Sequence, residues 1–158
     1  MRLKTLFAAL VPLSFAACLG STDPVSYPNI PIESTTFASS LGVSLATSTK
    51  TSTGMYYRDI TVGTGATIAT GQTANVYYAG ALSNGAVFDA KSAPATPFQF
   101  KIGAGTVIPG WEQGVVGMKV DGVRQLIIPP GLGYGAAFNG PIPPNSVLIF
   151  NITLVSIQ

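Results

Sequence analysis

The chain has no histidine and one cysteine, Cys18, in 158 residues. Without an imidazole, Ser-His-Asp and Cys-His catalysis are excluded, and so are metal sites built on His or Cys. Charge is scarce too. Asp, Glu, Lys and Arg make up 9% of the chain, against roughly 25% in an ordinary domain, so Ser, Thr, Asn, Gln and Gly must solvate the surface. Eight cations against six anions give a formal +2, but Arg2 and Lys4 fall in a leader-like segment, and without them the balance is six to six. A near-neutral chain with no basic cluster excludes a nucleic-acid partner. The six carboxylates, Asp23, Glu33, Asp59, Asp89, Glu112 and Asp121, are far apart in sequence, which weighs against the acid pair of a hydrolase. Any reaction expected of this inventory is one that moves no proton.

What is present begins with an export signal. Arg2 and Lys4 precede the run Leu6 to Leu13, which is too short to span a bilayer, and small residues follow. Residues 1–17 are therefore expected to be a signal peptide. Ser14-Phe15-Ala16-Ala17-Cys18 resembles a bacterial lipobox, with Cys18 as the lipid attachment residue and Phe15 where a Leu is usual. Ordinary cleavage after Ala16 is the other reading, and it leaves Cys18 as a free thiol, a liability in an oxidising compartment. The expectation is a chain lipid-anchored in a bacterial cell envelope, periplasmic or surface-facing. Residues 18–53, rich in Ser, Thr and Pro, suit a tether. Their apolar Phe37, Leu41, Val43 and Leu45 leave two readings open: a disordered spacer, or a strand or helical turn added to the domain.

From residue 54 onward the texture is short strands broken by turn residues. Met55 to Val62 is one candidate strand. Thr73 to Leu82 alternates so that Val76, Tyr78 and Leu82 share a face, and Ser83-Asn84-Gly85 supplies a hairpin turn before Val87-Phe88-Asp89. Phe98 to Ile102, Val123 to Ile128 and Val147 to Val155 follow. In the last of these Leu148, Phe150, Ile152 and Leu154 point one way. The connections are too short for parallel crossovers, so the fold class expected is α+β: a mainly antiparallel half-barrel wrapped around one short helix.

That helix starts at Val107-Ile108-Pro109-Gly110-Trp111, around the only tryptophan. Pro109 holds Ile108 extended, and Gly110 allows a close approach of backbone. Trp111, Val115 and Met118 then form one apolar stripe at i, i+4 and i+7. Alternation directs Tyr78, Phe98 or Phe100, Trp111 and Phe150 inward, joined by Phe88 and Tyr134. Aromatic rings commonly do no more than fill a core.

The order of motifs adds a second reading. Val76-Tyr77-Tyr78-Ala79-Gly80, Val87-Phe88-Asp89, Pro97-Phe98-Gln99-Phe100, Val107-Ile108-Pro109-Gly110-Trp111-Glu112-Gln113-Gly114, Gly117-Met118, Tyr134-Gly135 and Ile142-Pro143-Pro144-Asn145 resemble the successive signatures of the FKBP-type peptidyl-prolyl isomerases. The resemblance covers residues 54–158. It implies a rotamase with no cofactor and no metal, acting on proline-containing polypeptides, open to macrolide inhibitors and expected to be a monomer. It further implies a catalytic group of Tyr78, Phe88, Asp89, Tyr134 and Phe150, and a substrate-binding group of Phe98, Val107, Ile108, Trp111 and Ile142. Trp111 would be the floor under the proline ring, with the Ile108 N–H and the Tyr134 hydroxyl bonding the bound chain. The family's arginine that can pair with the aspartate is absent, and Lys91 is the cation of that stretch. In the flap, residues 136–141, either Phe138 or Asn139 could overhang the groove. A non-catalytic proline-binding or chaperone-like module and a passive structural lipoprotein are the alternatives.

Overall fold

The computed structural model describes residues 25–158. Seven strands, β1 (Thr49–Lys50), β2 (Tyr56–Thr61), β3 (Thr73–Leu82), β4 (Val87–Lys91), β5 (Phe98–Lys101), β6 (Val123–Ile128) and β7 (Leu148–Ile157), accompany one helix, α1 (Pro109–Gly114). Every strand pairing is antiparallel. The spatial order is β1-β2-β6-β7-β3-β4, with β5 also on β3. The sheet stays open and curls around α1, which is the half-barrel that the short connections imply.

β3 and β7 pair along nearly their whole length, from Ala74 opposite Ile157 to Leu82 opposite Leu148. Leu148, Phe150, Ile152 and Leu154 all enter the main core, together with Ala74, Val76, Trp111 and Leu126. Period-two alternation on a half-buried strand puts them there.

α1 is only six residues long, too short to hold itself together, so packing must keep it. Two glycines make that packing close. A Cβ on Gly110 would lie 2.6 Å from Ile128 Cγ2, and one on Gly114 would lie 2.5 Å from Leu126 Cδ1. The helix therefore rests directly on β6. It ends at Gly114, one residue before the second member of the apolar stripe expected from the sequence. Trp111, Val115 and Met118 are all buried, but Met118 reaches the core from the following turn rather than from the helix. Arg124 helps to end the helix there. Its Nη1 donates to the carbonyls of Gly114 and Val116, each at 3.0 Å, while its Nε and Nη2 bind the carboxylate of Asp59 at 2.6 and 3.0 Å. One buried guanidinium thus satisfies the last carbonyl of the helix and that of Val116 just beyond it.

Between residues 25 and 53 the chain forms three 3-10 turns, Ile32–Ser34, Ser39–Leu41 and Leu45–Thr47, and then β1. Phe37, Leu41, Val43 and Leu45 pack on a second apolar cluster made of Ile32, Tyr56, Ile127, Val147 and Ile149. Ile127 and Ile149 belong to the strands whose alternate residues face α1, so the extension covers the opposite face of the sheet. The expected signal peptide and Cys18 lie outside the described residues.

The extension is also clamped electrostatically. Glu33 Oε1 accepts from Lys50 Nζ at 2.5 Å and from the Tyr56 hydroxyl at 2.6 Å. These bonds, the Lys50 one first, pull the Glu33 carboxyl down from 4.5 to about 2. A depressed acid stabilises above its ordinary value and loses that contribution as pH falls through the folded one. The clamp should accordingly hold at pH 5 and release progressively between about 4.5 and 2. A carboxyl-carbon NMR titration checks this: Glu33 titrates near 2 in the intact chain and moves back toward 4.5 in Lys50→Ala.

Candidate active site

α1 delivers Trp111 into the concave face of the sheet, where it is 4% exposed. The rings of Tyr78, Phe150 and Phe98 stand nearly perpendicular to it, at 5.0, 5.2 and 6.0 Å between centroids, and Phe100 lies tilted at 5.5 Å. Edge-to-face contacts on this many sides fix both position and tilt of the indole. The indole N–H is buried without a partner among the described residues. Shape alone holds the ring.

Above this floor lies a cavity of about 360 Å³ lined by Tyr78, Phe88, Asp89, Phe98, Val107, Ile108, Trp111, Tyr134 and Phe150, with Gly105 and Thr106. Nine of the ten groove residues expected from the sequence are thereby brought together. Ile142 is the tenth, and it does not line the cavity. It is buried in the main core and bridged to Asn139, anchoring the flap from behind. Of the two phenylalanines that alternation left open, Phe98 faces the cavity while Phe100 stacks behind it at 6.1 Å.

β3 and β4 supply the rim. Gly80 makes room for it, since a Cβ there would lie 2.5 Å from Phe150 and 2.9 Å from Phe88. Those two rings meet edge-to-face at 5.5 Å over the missing side chain. Asp89 is held by the Tyr78 hydroxyl, which donates to Oδ2 at 2.7 Å. The ion pairs among the described residues are Lys50–Glu33 and Arg124–Asp59. Lys91 makes none with Asp89, so the place of a cation partner is taken by a phenol.

Burial first, and then its bond to Asp89, push the Tyr78 phenol up to about 12. Burial first, and then the charge of Asp89, also raise Tyr134. Both hydroxyls are therefore neutral donors across the physiological range. The Tyr134 hydroxyl and the Ile108 N–H have no partner among the described residues, while the Ile108 carbonyl is taken by Trp111 N–H at 2.9 Å. Two donors are thus free at the cavity wall.

Sequence reasoning missed how this wall is positioned. Glu112, in the first turn of α1, accepts from Gly105 N–H at 2.9 Å and from Gly103 N–H. It ties the turn after β5 to the helix, and that turn leads into Thr106, Val107 and Ile108. An acid in the first turn of a helix that follows a glycine-rich loop was the available signal. In the flap, neither Phe138 nor Asn139 lines the cavity. Phe138 is 64% exposed and packs edge-to-face on Tyr27 at 5.3 Å.

A curled antiparallel sheet around a short helix, with an aromatic groove floored by that helix, defines an FKBP-like domain. Residues 65–155, more than half of the chain, match the family profile described as FKBP-type peptidyl-prolyl cis-trans isomerase. The chain belongs to that family. It is 50% identical over 103 residues to an FK506-binding protein of Streptomyces anulatus, covering 63% of this chain and 83% of that one. It is 48% identical over 105 residues, 66% of this chain, to FK506-binding protein 3 of Yarrowia lipolytica, but it spans only 26% of that longer relative. Among solved structures, FkpA from Escherichia coli superposes with a TM-score of 0.65 at 36% identity, over 71% of this chain and 52% of that one.

The phenol–carboxylate bond at the rim has a spectroscopic consequence. In an alkaline absorbance titration the native chain should show a phenol ionising near 12, and Tyr78→Phe should remove that step. A variant titrating like the native chain would contradict the assignment.

Proposed function

We propose that this groove catalyses cis-trans isomerisation of X-Pro bonds in exported polypeptides. The observation that carries the proposal is the cavity itself: apolar, floored by a buried indole, with neutral hydroxyl and amide donors on its walls. Rotation about an X-Pro amide crosses a barrier of roughly 18–20 kcal/mol without breaking a bond. The planar amide is polar because nitrogen donates into the carbonyl. In the twisted transition state that resonance is lost, and the charge separation with it. An apolar, water-poor pocket therefore favours the twisted form over the planar one, which is differential binding without acid or base. No cofactor is required.

In this reading the proline ring rests on Trp111, flanked by Phe98 and Val107. The Ile108 N–H and the Tyr134 hydroxyl hold the bound chain. Phe88, Tyr78 and Phe150 surround the carbonyl that precedes the proline, the group that loses charge as the amide twists. Asp89, held by Tyr78, places a carboxylate where partial negative charge on that oxygen is disfavoured, which again penalises the planar amide. Ile142, buried behind the flap, supports it from the core side. The relatives are named for binding FK506; in this chain such a macrolide would occupy the same groove and compete with the peptide.

A protease-coupled assay on an X-Pro peptide tests the proposal. The expected results are acceleration by the native chain, inhibition by FK506 that excess peptide relieves, and a fall in kcat/KM of about tenfold or more in Phe88→Ala, equal to about 1.4 kcal/mol of lost transition-state preference. Peptide binding with no acceleration would favour the non-catalytic proline-binding module.

The site of action is part of the same proposal: export by the leader and lipid anchoring through Cys18 in a bacterial envelope. Its support is the basic start, the short apolar run and the Ala16-Ala17-Cys18 junction. Metabolic labelling with a fatty acid in a bacterial host should mark the native chain and leave Cys18→Ser unlabelled. Label that survives the substitution would contradict the anchor.

A further inference from the structure

The flap is a closed lobe with a narrow neck. The Asn139 and Ile142 backbones bond to each other in both directions, at 3.0 and 2.9 Å, closing its tip. At the neck, Asn145 N–H donates to Gly135 O at 2.8 Å, and Gly135 N–H donates to Pro130 O at 2.9 Å. Tyr134, on the cavity wall, is the residue just before this neck. Ile142 anchors the lobe from the core side, and a contact on the outer side would limit its tilt further. The structure places one there. More than a hundred residues away in sequence, Tyr27 accepts from Asn145 Nδ2 through its carbonyl at 2.8 Å, and its ring meets that of Phe138 edge-to-face at 5.3 Å and 83°.

These two contacts are chemically distinct and fall at opposite ends of the lobe, one at the neck and one near the tip. They come from a segment that is itself fastened to the sheet through Ile32 in the second core and through the Glu33–Lys50 pair. Phe138 is a large apolar side chain on the loop next to an apolar cavity, yet it does not line that cavity. The Tyr27 ring gives it a partner on the outer side. Without that ring, the lobe loses an edge-to-face pair of the kind worth a few-fold in an equilibrium, and Phe138 is free to turn toward the groove.

We infer that Tyr27 is a positioning residue of the groove: it holds the flap by Phe138 and Asn145, so that the N-terminal extension sets how readily a polypeptide enters beside Tyr134. This rests on the isomerase reading above for its kinetic consequence and on geometry alone for the anchoring. Tyr27 acts on binding, not on the twisting amide, so KM carries the effect and kcat does not.

The test compares the native chain with Tyr27→Ala, Tyr27→Phe and Phe138→Ala, by steady-state kinetics on an X-Pro peptide and by amide hydrogen exchange. Tyr27→Ala keeps the backbone carbonyl and removes only the ring. It should speed exchange at the Asn139, Ile142 and Asn145 amides and raise KM by about three- to tenfold, the worth of one aromatic pair, with kcat within about twofold. Tyr27→Phe, which keeps the ring, should match the native chain. Phe138→Ala should reproduce the faster exchange, and combining it with Tyr27→Ala should add nothing further. Native exchange and KM in Tyr27→Ala, or Tyr27→Phe as impaired as Tyr27→Ala, would overturn the inference. If the native chain accelerates no isomerisation, the isomerase reading falls and the exchange comparison alone decides the anchoring.

Discussion

Everything at the groove depends on how closely α1 can approach β6. A six-residue helix has almost no stability of its own, and this one is placed by two contacts in which a missing Cβ lets its backbone rest on Ile128 and Leu126. A methyl at Gly110 or Gly114 would meet the buried side chains of Ile128 or Leu126 and force that contact to shift. Arg124 then fixes where the helix stops, and Glu112 fixes the turn that leads into it. The floor, the wall at Val107 and Ile108, and the free Ile108 N–H are consequences of one packing distance.

The chemistry of the site follows from the same scarcity that marks the composition. With no imidazole in the chain and with phenols pushed up by burial, the groove offers fixed neutral donors, aromatic surface and one hydrogen-bonded carboxylate. Such a set is poorly suited to moving protons. It suits the proposed discrimination between a polar planar amide and a less polar twisted one, which would require low polarity and a fixed shape. Trp111 serves both ends: the contacts that make it a core residue are the contacts that hold it still as a floor. Core and site are the same object here.

Much of this was legible from residues alone. The limits of β3 and β6, the shared face of Leu148, Phe150, Ile152 and Leu154, and the convergence of nine of ten expected groove residues follow from alternation and from a motif order that resembles one family. What was not legible depends on contacts between distant segments. The end of α1 is set in part by Arg124, ten residues beyond it, so a 3.6-residue stripe through Met118 overstated the helix. The partner of Asp89 is Tyr78 on the neighbouring strand rather than Lys91 on its own, and a strand register decides that. Ile142 reads as a groove residue by motif, but the hairpin with Asn139 turns it into the core. The role of residues 32–50 could not be read because their apolar side chains complete a cluster whose other half lies on β2, β6, β7 and the residue before β7.

The central claim is that the groove lowers the barrier by shape and low polarity, with no proton in flight. It is tested most directly by measuring kcat/KM for one X-Pro peptide in H2O and in D2O, from pH 5 to 9. The account expects a ratio near one and a flat profile, because neither phenol ionises in that range and no group acts as acid or base. A solvent isotope effect of about two or more, or a bell-shaped profile of the kind general acid–base catalysis produces, would contradict it.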